Sequence, residues 1–140
     1  MRKIRYTNYG VQVLLTTNKK ENETMKILEK SRQMTVSEMH KMTRSNDVRK
    51  METAKGTRLS VDDYILFEDE KIDNKTGEVE TVQVLAVRDD TEVYATISPT
   101  FKTEFFAIKA MCEEAGEEFD HVDVCSGTSR NGRCFITCTF

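Results

Sequence analysis

The side chains that could carry catalysis are few and lie far apart in the chain. The sequence has two histidines, His40 and His121, and neither lies in a segment that also supplies a nucleophile. It contains no glycine-rich phosphate loop, no Gly-x-Ser-x-Gly turn and no His-Glu-x-x-His motif. The acidic pairs Asp62-Asp63 and Asp89-Asp90 fall at turns or strand starts, where we interpret them as solvated charge. We therefore expect no enzymatic activity and no cofactor.

Histidine and cysteine recur at intervals of four: His121 with Cys125, and Cys134 with Cys138. Both pairs fall in predicted strands, where four residues span roughly 13 Å. A tetrahedral zinc ion binds sulfur at about 2.3 Å, so neither pair can share one ion. No metal site is predicted. Four alternate residues are instead interpreted as one core face of the last strand: Cys134, Ile136, Cys138 and Phe140.

Arginine and phenylalanine share the other face of that last strand. If its cysteines point inward, Arg133 and Phe135 point away from the core. Single-stranded nucleic acid is bound by this combination, because phosphates are attracted to cations and bases stack on aromatic rings. Arg130 lies in the adjoining turn, and Tyr94 lies on the polar face of its own predicted strand. For both rings the alternative is packing in the core.

Positive charge is concentrated in the first part of the chain. Residues 1–58 carry 14 Lys and Arg against 6 Asp and Glu, a net charge of +8. Residues 59–140 carry 7 against 18, a net charge of −11, which leaves −3 for the whole chain. Either the basic segment lies on its own acidic body, or it binds phosphate. In the second case six residues supply the phosphate contacts: Lys41, Arg44, Arg49, Lys50, Lys55 and Arg58.

The clearest structural signal is a strand followed by a helix. Alternation of apolar and polar residues predicts a strand over 93–97, with Val93, Ala95 and Ile97 inward. Ser98 and Pro99 are typical of a helix N-terminus, and Gly116 of a helix end. Four apolar residues at helical spacing predict the buried stripe of this helix: Phe101, Phe105, Ile108 and Cys112.

The remaining elements predict a mainly β, α+β fold. Strands are expected at 59–67, 79–88, 121–125 and 133–140, with turns at 73–77 and at Asn131-Gly132. The order of three strands, a helix and two strands is that of the OB-fold, a five-stranded and partly open barrel. We predict an OB-fold-like domain over 51–140. Residues 1–50 are predicted to be a basic N-terminal extension with a short helix.

That extension contains three weaker signals. Thr35 and Glu38 fit a capping box, which predicts a helix that ends near Ser45. Residues 23–32 are interpreted as a helix with Met25 and Leu28 on one face. A short strand is expected over 9–16 and a turn over 18–23.

Two segments resemble a known class of proteins. The first is Tyr94-Ala-Thr-Ile-Ser-Pro-Thr-Phe101, and the second is Val124-Cys-Ser-Gly-Thr-Ser-Arg-Asn-Gly-Arg-Cys-Phe-Ile-Thr-Cys138. Together they are similar to small single-stranded-DNA-binding proteins of phages and mobile elements of Gram-positive bacteria, and the resemblance covers about residues 34–140. It implies an OB-like fold that coats single-stranded DNA during phage replication or recombination. It also implies four DNA contacts: Tyr94, Arg130, Arg133 and Phe135.

Two other functions stay open at this point. One is a small-ligand-binding or RNA-binding OB domain, which the sequence does not separate from a single-stranded-DNA-binding protein. The acidic body could act as a protein-interaction module that mimics DNA or inhibits a nucleic-acid-binding protein of the host. Replication or recombination proteins and a second copy of the chain are further candidate partners. We expect no membrane contact, because no apolar run approaches about 20 residues. The lack of a secretory signal and of a dense cysteine framework favours a cytoplasmic location, that of the host cell for a phage protein.

Overall fold

The computed structural model describes residues 25–140, and this part of the chain contains eight strands, two α-helices and one short 3-10 helix. The predicted strand over 9–16 and turn over 18–23 lie outside the described residues. In chain order the elements are β1 (Met25–Lys30), α1 (Val36–Thr43), β2 (Arg49–Lys50), the 3-10 helix (Met51–Ala54), β3 (Arg58–Ser60), β4 (Asp63–Ile72), β5 (Val79–Asp89), β6 (Glu92–Thr96), α2 (Pro99–Ala115), β7 (His121–Thr128) and β8 (Cys134–Thr139).

The described strands form two sheets. One has three strands in the order β8-β7-β3, and the other has five in the order β1-β4-β5-β6-β2. Pairing is antiparallel between β7 and β8, between β3 and β7 and between β5 and β6, whereas β2 runs parallel to β6. The predicted mainly β, α+β class is confirmed. Within the described residues the sheets do not close into a barrel, so the predicted OB-fold is not confirmed.

The chain divides into two compact units. Of the described residues, 25–27 and 67–82 belong to one unit, and 28–66 with 83–140 belong to the other. The first unit contains the Asp73–Gly77 turn, where the Gly77 N–H donates to Asp73 O at 2.8 Å, as the turn signal predicts. The predicted domain boundary between residues 50 and 51 stays a prediction.

Both helices begin as the sequence predicts. Thr35 Oγ1 accepts from the Glu38 N–H, and Glu38 Oε1 accepts from the Thr35 N–H, a complete capping box at the start of α1. Ser98 Oγ accepts from the Phe101 N–H at the start of α2, with Pro99 at the first position. Gly116 ends α2 with φ of 72°. Neither described helix is long and apolar enough to cross a membrane.

The core of the larger unit forms beneath α2. The predicted stripe of α2 is buried, and Phe105 makes edge-to-face contacts with Tyr64, Phe106 and Phe119. Leu85 and Val87 of the central strand β5 are fully buried in the same cluster. This arrangement confirms the predicted helix face, and it attaches α2 firmly to the sheet residues below it.

The predicted strand over 59–67 is divided into two strands that belong to different sheets. Between β3 and β4, the Val61 N–H donates to Asp120 O at 2.9 Å, and the Asp62 N–H donates to Arg88 O at 3.0 Å. Asp62 Oδ2 also accepts from the Asp90 N–H at 2.6 Å. The chain therefore changes its pairing partner here, from β7 for β3 to β5 for β4. A continuous run of strand-forming residues does not reveal such a change.

The prediction of a helix over 23–32 is wrong, because residues 25–30 form strand β1, next to β4 in the sheet. At its end the Ser31 N–H donates to Tyr64 O, and Ser31 Oγ accepts from the Tyr64 N–H. Met25 is half-buried whereas Leu28 is exposed, the alternation of a strand. Pairing with β4 therefore decides a segment whose own signals were weak.

Three predicted core positions at strand ends are also wrong. Ile136 and Cys138 are buried as expected, but Cys134 is exposed and Phe140 is 46% exposed. Ile97, predicted to point inward, is 50% exposed and follows the end of β6. Alternation predicts the face of each residue, but burial also requires a neighbouring element to cover that part of the strand.

Candidate nucleic-acid interface

The three-stranded sheet has one face in the core and one face open to solvent. Val122, Val124, Ile136 and Cys138 are buried and alternate with partly exposed residues. We call the open side the outer face, and it carries alternate residues of the three strands: Arg58, Ser60, His121, Asp123, Cys125, Gly127, Phe135, Thr137 and Thr139. It is a polar surface with few aromatic side chains, so each ring on it is a distinct feature.

The ring of Phe135 lies across Gly127 on the outer face. The two residues are directly opposite each other in the β7–β8 pair. A Cβ added at Gly127 would meet Cζ of the ring at 2.6 Å and Cε2 at 2.9 Å. The missing side chain therefore gives the ring its place on the sheet, and Phe135 stays only partly buried. A ring laid on a glycine in this way leaves one side open to a flat ligand.

Two arginines lie in the turn between β7 and β8, shortly before Phe135 in the chain. Ser129 N–H donates to Arg133 O at 2.8 Å, and Gly132 adopts φ of 79°, which favours glycine. Arg130 and Arg133 are both exposed. Within the described residues, neither guanidinium group has a hydrogen-bond or ion-pair partner. Their charge is therefore available to an anion beside Phe135.

Arg58 lies on the same face but is already paired. Its Nε donates to Asp123 Oδ1 at 2.8 Å and its second guanidinium nitrogen to Oδ2 at 3.2 Å, a two-point ion pair. These bonds raise the pKa of Arg58 and lower the pKa of Asp123. A phosphate at Arg58 would have to compete with this carboxylate.

The chain matches no protein-family model, no curated protein and no solved structure. The resemblance to phage and mobile-element single-stranded-DNA-binding proteins therefore stays a prediction.

Tyr94 lies in the other sheet, beside the basic edge strand β2. It is opposite Arg49 in the parallel β2–β6 pair, and it packs against the core cluster while staying half-exposed. Arg49 Nε binds Glu92 Oε1 at 2.5 Å, and Lys50 is exposed at the end of the same short strand. Tyr94 and Phe135 thus belong to different sheets.

The other predicted cations lie outside both sheets. Lys41 is exposed in the last turn of α1, and Arg44 is the exposed C-cap of that helix. Lys55 is exposed at the end of the 3-10 helix. The structure therefore gathers four of the ten predicted contacts on the outer face and its turn: Arg58, Arg130, Arg133 and Phe135.

A buried carboxylate was missed by the sequence interpretation. Asp63 was interpreted as solvated, but it is 3% exposed and binds two arginines. Arg32 Nε lies 2.8 Å from Asp63 Oδ1, and a guanidinium nitrogen of Arg88 lies 2.7 Å from Oδ2. Burial acts to raise the pKa of Asp63, but the two arginines outweigh burial and hold that pKa below its ordinary value.

This ion-pair cluster extends to α1. Arg32 also binds Glu38 Oε2 at 2.7 Å, so the residue that completes the capping box is held by an arginine too. The hydrogen bond from Arg32 and the N–H of Thr35 lower the pKa of Glu38 to about 2. Arg32, Asp63 and Arg88 are far apart in sequence, and no spacing rule could have linked them. Because Arg32 and Arg88 bind carboxylates, they are not assigned to the interface.

A second aromatic feature was also missed. The rings of His121 and Phe140 stack with centroids 4.3 Å apart and planes at 18°. His121 Nδ1 also lies 2.8 Å from Asp120 Oδ1. Within the described residues, no group of three or more His, Cys, Asp and Glu side chains could hold a metal ion.

Proposed function

We propose that the chain is a non-catalytic single-stranded-DNA-binding protein whose binding surface is the outer face together with the β7–β8 turn. One observation carries the proposal: a half-exposed phenylalanine laid on a glycine, beside two exposed arginines that have no acidic partner within the described residues. Bases can stack on the ring while the arginines neutralise phosphates. In this role the protein would coat or protect single-stranded DNA during phage or mobile-element replication or recombination, in the cytoplasm of the host.

The connectivity supports an OB-like arrangement. If β3 and β4 are taken as two halves of one strand, the order from there to β8 is three strands, a helix and two strands. The first of these strands then pairs with β7 through its β3 half and neighbours β5 through its β4 half. Between the end of β6 and β8, Ser98 Oγ donates to Ile136 O at 3.2 Å. OB-folds are commonly open, so the lack of closure is compatible with this family of folds.

The distribution of charge supports a local binding surface rather than a uniformly basic one. The whole chain carries a net charge of −3. Binding would therefore depend on a few well-placed cations and on stacking, which contributes about 1–3 kcal/mol per base. For binding to single-stranded DNA, each arginine that contacts a phosphate should steepen the slope of log K against log salt by about 0.7.

Fluorescence anisotropy with a labelled oligothymidylate of about 20 nucleotides tests the proposal. We expect binding that weakens steeply as salt concentration rises. Replacement of both arginines, Arg130→Ala with Arg133→Ala, should lower affinity and reduce the slope of log K against log salt by about 1.4. Lys75→Ala is the control for loss of an exposed cation, because Lys75 lies in the Asp73–Gly77 turn.

Two results would contradict the proposal. The first is no binding at low salt by the wild-type chain. The second is a double arginine variant that binds like Lys75→Ala. In that case the β7–β8 turn contacts no phosphate, and the surface is misassigned.

A second candidate function is supported by the C-terminal end of α2. The last turn of α2 has no basic residue, and four exposed glutamates lie in this turn or directly after Gly116: Glu113, Glu114, Glu117 and Glu118. Glu113 is bound to Lys109 at 2.8 Å, which leaves the other three carboxylates for a partner. Negative charge at a helix C-terminus is unfavourable because it opposes the helix dipole. Stabilisation of α2 therefore does not account for an acidic residue such as Glu114 at this position. This surface suits a basic protein partner, in keeping with an acidic interaction module. Reversal of two of these charges, Glu114→Lys with Glu118→Lys, should abolish such a complex and leave or strengthen DNA binding.

A further inference from the structure

The stacked rings of His121 and Phe140 form an exposed aromatic surface at one end of the outer face. Strand alternation would put Phe140 on the buried side with Ile136 and Cys138. Instead Phe140 is 46% exposed, and its ring stacks on the His121 ring with centroids 4.3 Å apart. The contact between His121 Nδ1 and Asp120 holds the imidazole in place beneath it. The two stacked rings therefore form one flat aromatic surface.

This pair shares its face with Phe135. His121 and Gly127 alternate outward on β7, and Phe135 lies on Gly127. The six residue steps from 121 to 127 span roughly 20 Å of extended strand. Two aromatic surfaces thus lie at opposite ends of one polar sheet face, with Thr137, Cys125 and the Arg58–Asp123 pair between them.

We infer that the His121–Phe140 pair is a second base-stacking site, and that one DNA strand runs along the outer face from Phe135 to Phe140. The inference rests on the proposed function. At about 3.4 Å for each stacked nucleotide, the distance of roughly 20 Å corresponds to about six nucleotides. A strand of that length could reach both aromatic surfaces, whereas a dinucleotide could reach only one.

The charges predict that the two ends act differently. The Phe135 end carries Arg130 and Arg133, which attract phosphates. At the other end, Asp120 contacts His121 and Asp123 is bound to Arg58, so no cation there is free of a carboxylate partner among these residues. Phe140 should therefore contribute stacking with little dependence on salt, whereas the turn contributes most of the salt dependence.

The lack of tryptophan in the chain permits a direct test. Phe140→Trp introduces a single reporter, and stacking of a base on it should quench its fluorescence when an oligothymidylate of about ten nucleotides binds. Phe135→Trp should be quenched by the same oligonucleotide. Met111→Trp is the control, because Met111 is 63% exposed on α2 and does not belong to the outer face.

A second measurement uses variants without a reporter. Phe140→Leu keeps an apolar side chain but removes the flat ring. It should weaken binding of the oligonucleotide of about ten nucleotides by about tenfold and leave the slope of log K against log salt unchanged. Circular dichroism establishes that each variant is folded.

The outcomes separate this inference from the proposed function. If the oligonucleotide quenches Phe135→Trp but not Phe140→Trp, and Phe140→Leu binds normally, the second site is refuted and the proposed function stands. If neither tryptophan is quenched and the wild-type chain binds no DNA, both are refuted. Quenching of both reporters but not of Met111→Trp supports the second site.

Discussion

Arginine has different roles in two regions of this molecule. In the cluster around Asp63, Arg32 and Arg88 are both bound to a carboxylate that is 3% exposed. In the β7–β8 turn, Arg130 and Arg133 are exposed and have no side-chain partner within the described residues. The same guanidinium group thus stabilises the fold in one place and stays available for a ligand in the other.

The difference lies in the position of the nearest carboxylate rather than in the arginines. A buried carboxylate requires cations, because its desolvation is costly unless it is paired and hydrogen-bonded. A solvent-exposed turn contains no buried carboxylate that must be neutralised, so an arginine there needs no structural partner. Arg58 is intermediate, since its partner Asp123 is partly exposed. The predictions below test this contrast.

The largest expected effect is that of Asp63→Ala on stability. Removal of the carboxylate leaves two guanidinium groups without their shared partner, which we expect to cost about 3 kcal/mol. The estimate is at the low end for a buried ion pair because both arginines are partly exposed, at 46% and 34%. Urea unfolding followed by circular dichroism measures the change. A loss below about 1 kcal/mol would show that the cluster does not stabilise the fold.

The next effect is on DNA affinity. Phe135→Ala removes the ring on Gly127 and should weaken oligothymidylate binding by about 1–3 kcal/mol. Gly127→Ala should also weaken it, because the added Cβ would lie 2.6 Å from Cζ of Phe135 and displace the ring. Anisotropy titrations measure both variants. Normal binding by a folded Gly127→Ala protein would show that the position of the ring is unimportant.

A smaller effect compares two arginines on the same surface. Arg133→Ala should reduce the salt slope of binding by about 0.7. Arg58→Ala should reduce it less, because Asp123 already neutralises Arg58. The same titrations repeated over a range of salt concentrations give both slopes. Equal reductions in slope would mean that the ion pair with Asp123 does not keep Arg58 from binding phosphate.

The last expected effect is a loss of stability that is confined to acid. The pKa of Asp63 lies below its ordinary value of 3.8 in the folded chain, so the unfolded chain binds a proton more readily. Stabilisation by Asp63 is therefore complete above pH 3.8 and is lost as pH falls through the lower folded pKa. Asp63→Asn should reduce the slope of the unfolding free energy against pH by up to about 1.4 kcal/mol per pH unit, which corresponds to about one proton. Urea unfolding between neutral pH and about pH 3 measures the slope, and an unchanged slope contradicts the assignment.

The candidate site could be predicted in part from local pattern. The Arg133, Phe135 alternation placed both residues on the side of β8 away from the core, and the Asn131-Gly132 turn beside them was predicted too. The opposition of Phe135 and Gly127 follows from strand register, which this turn helps to set. The His121–Phe140 stack and the Arg32–Asp63–Arg88 cluster had no sequence signal, because each joins residues that are brought together only by the fold.

The sequence by itself determined the elements whose signals are local. Ser98, Pro99 and Gly116 fix the ends of α2, and Thr35 with Glu38 fixes the start of α1, because caps and turns depend on residues within one helical turn. Tertiary structure decided whether residues 25–30 became a strand and where the run at 59–67 was divided. It also decided whether Asp63 was buried. Those outcomes depend on partners far away in the chain, such as Asp120 for Val61 and Arg32 for Asp63, and no local pattern specifies such partners.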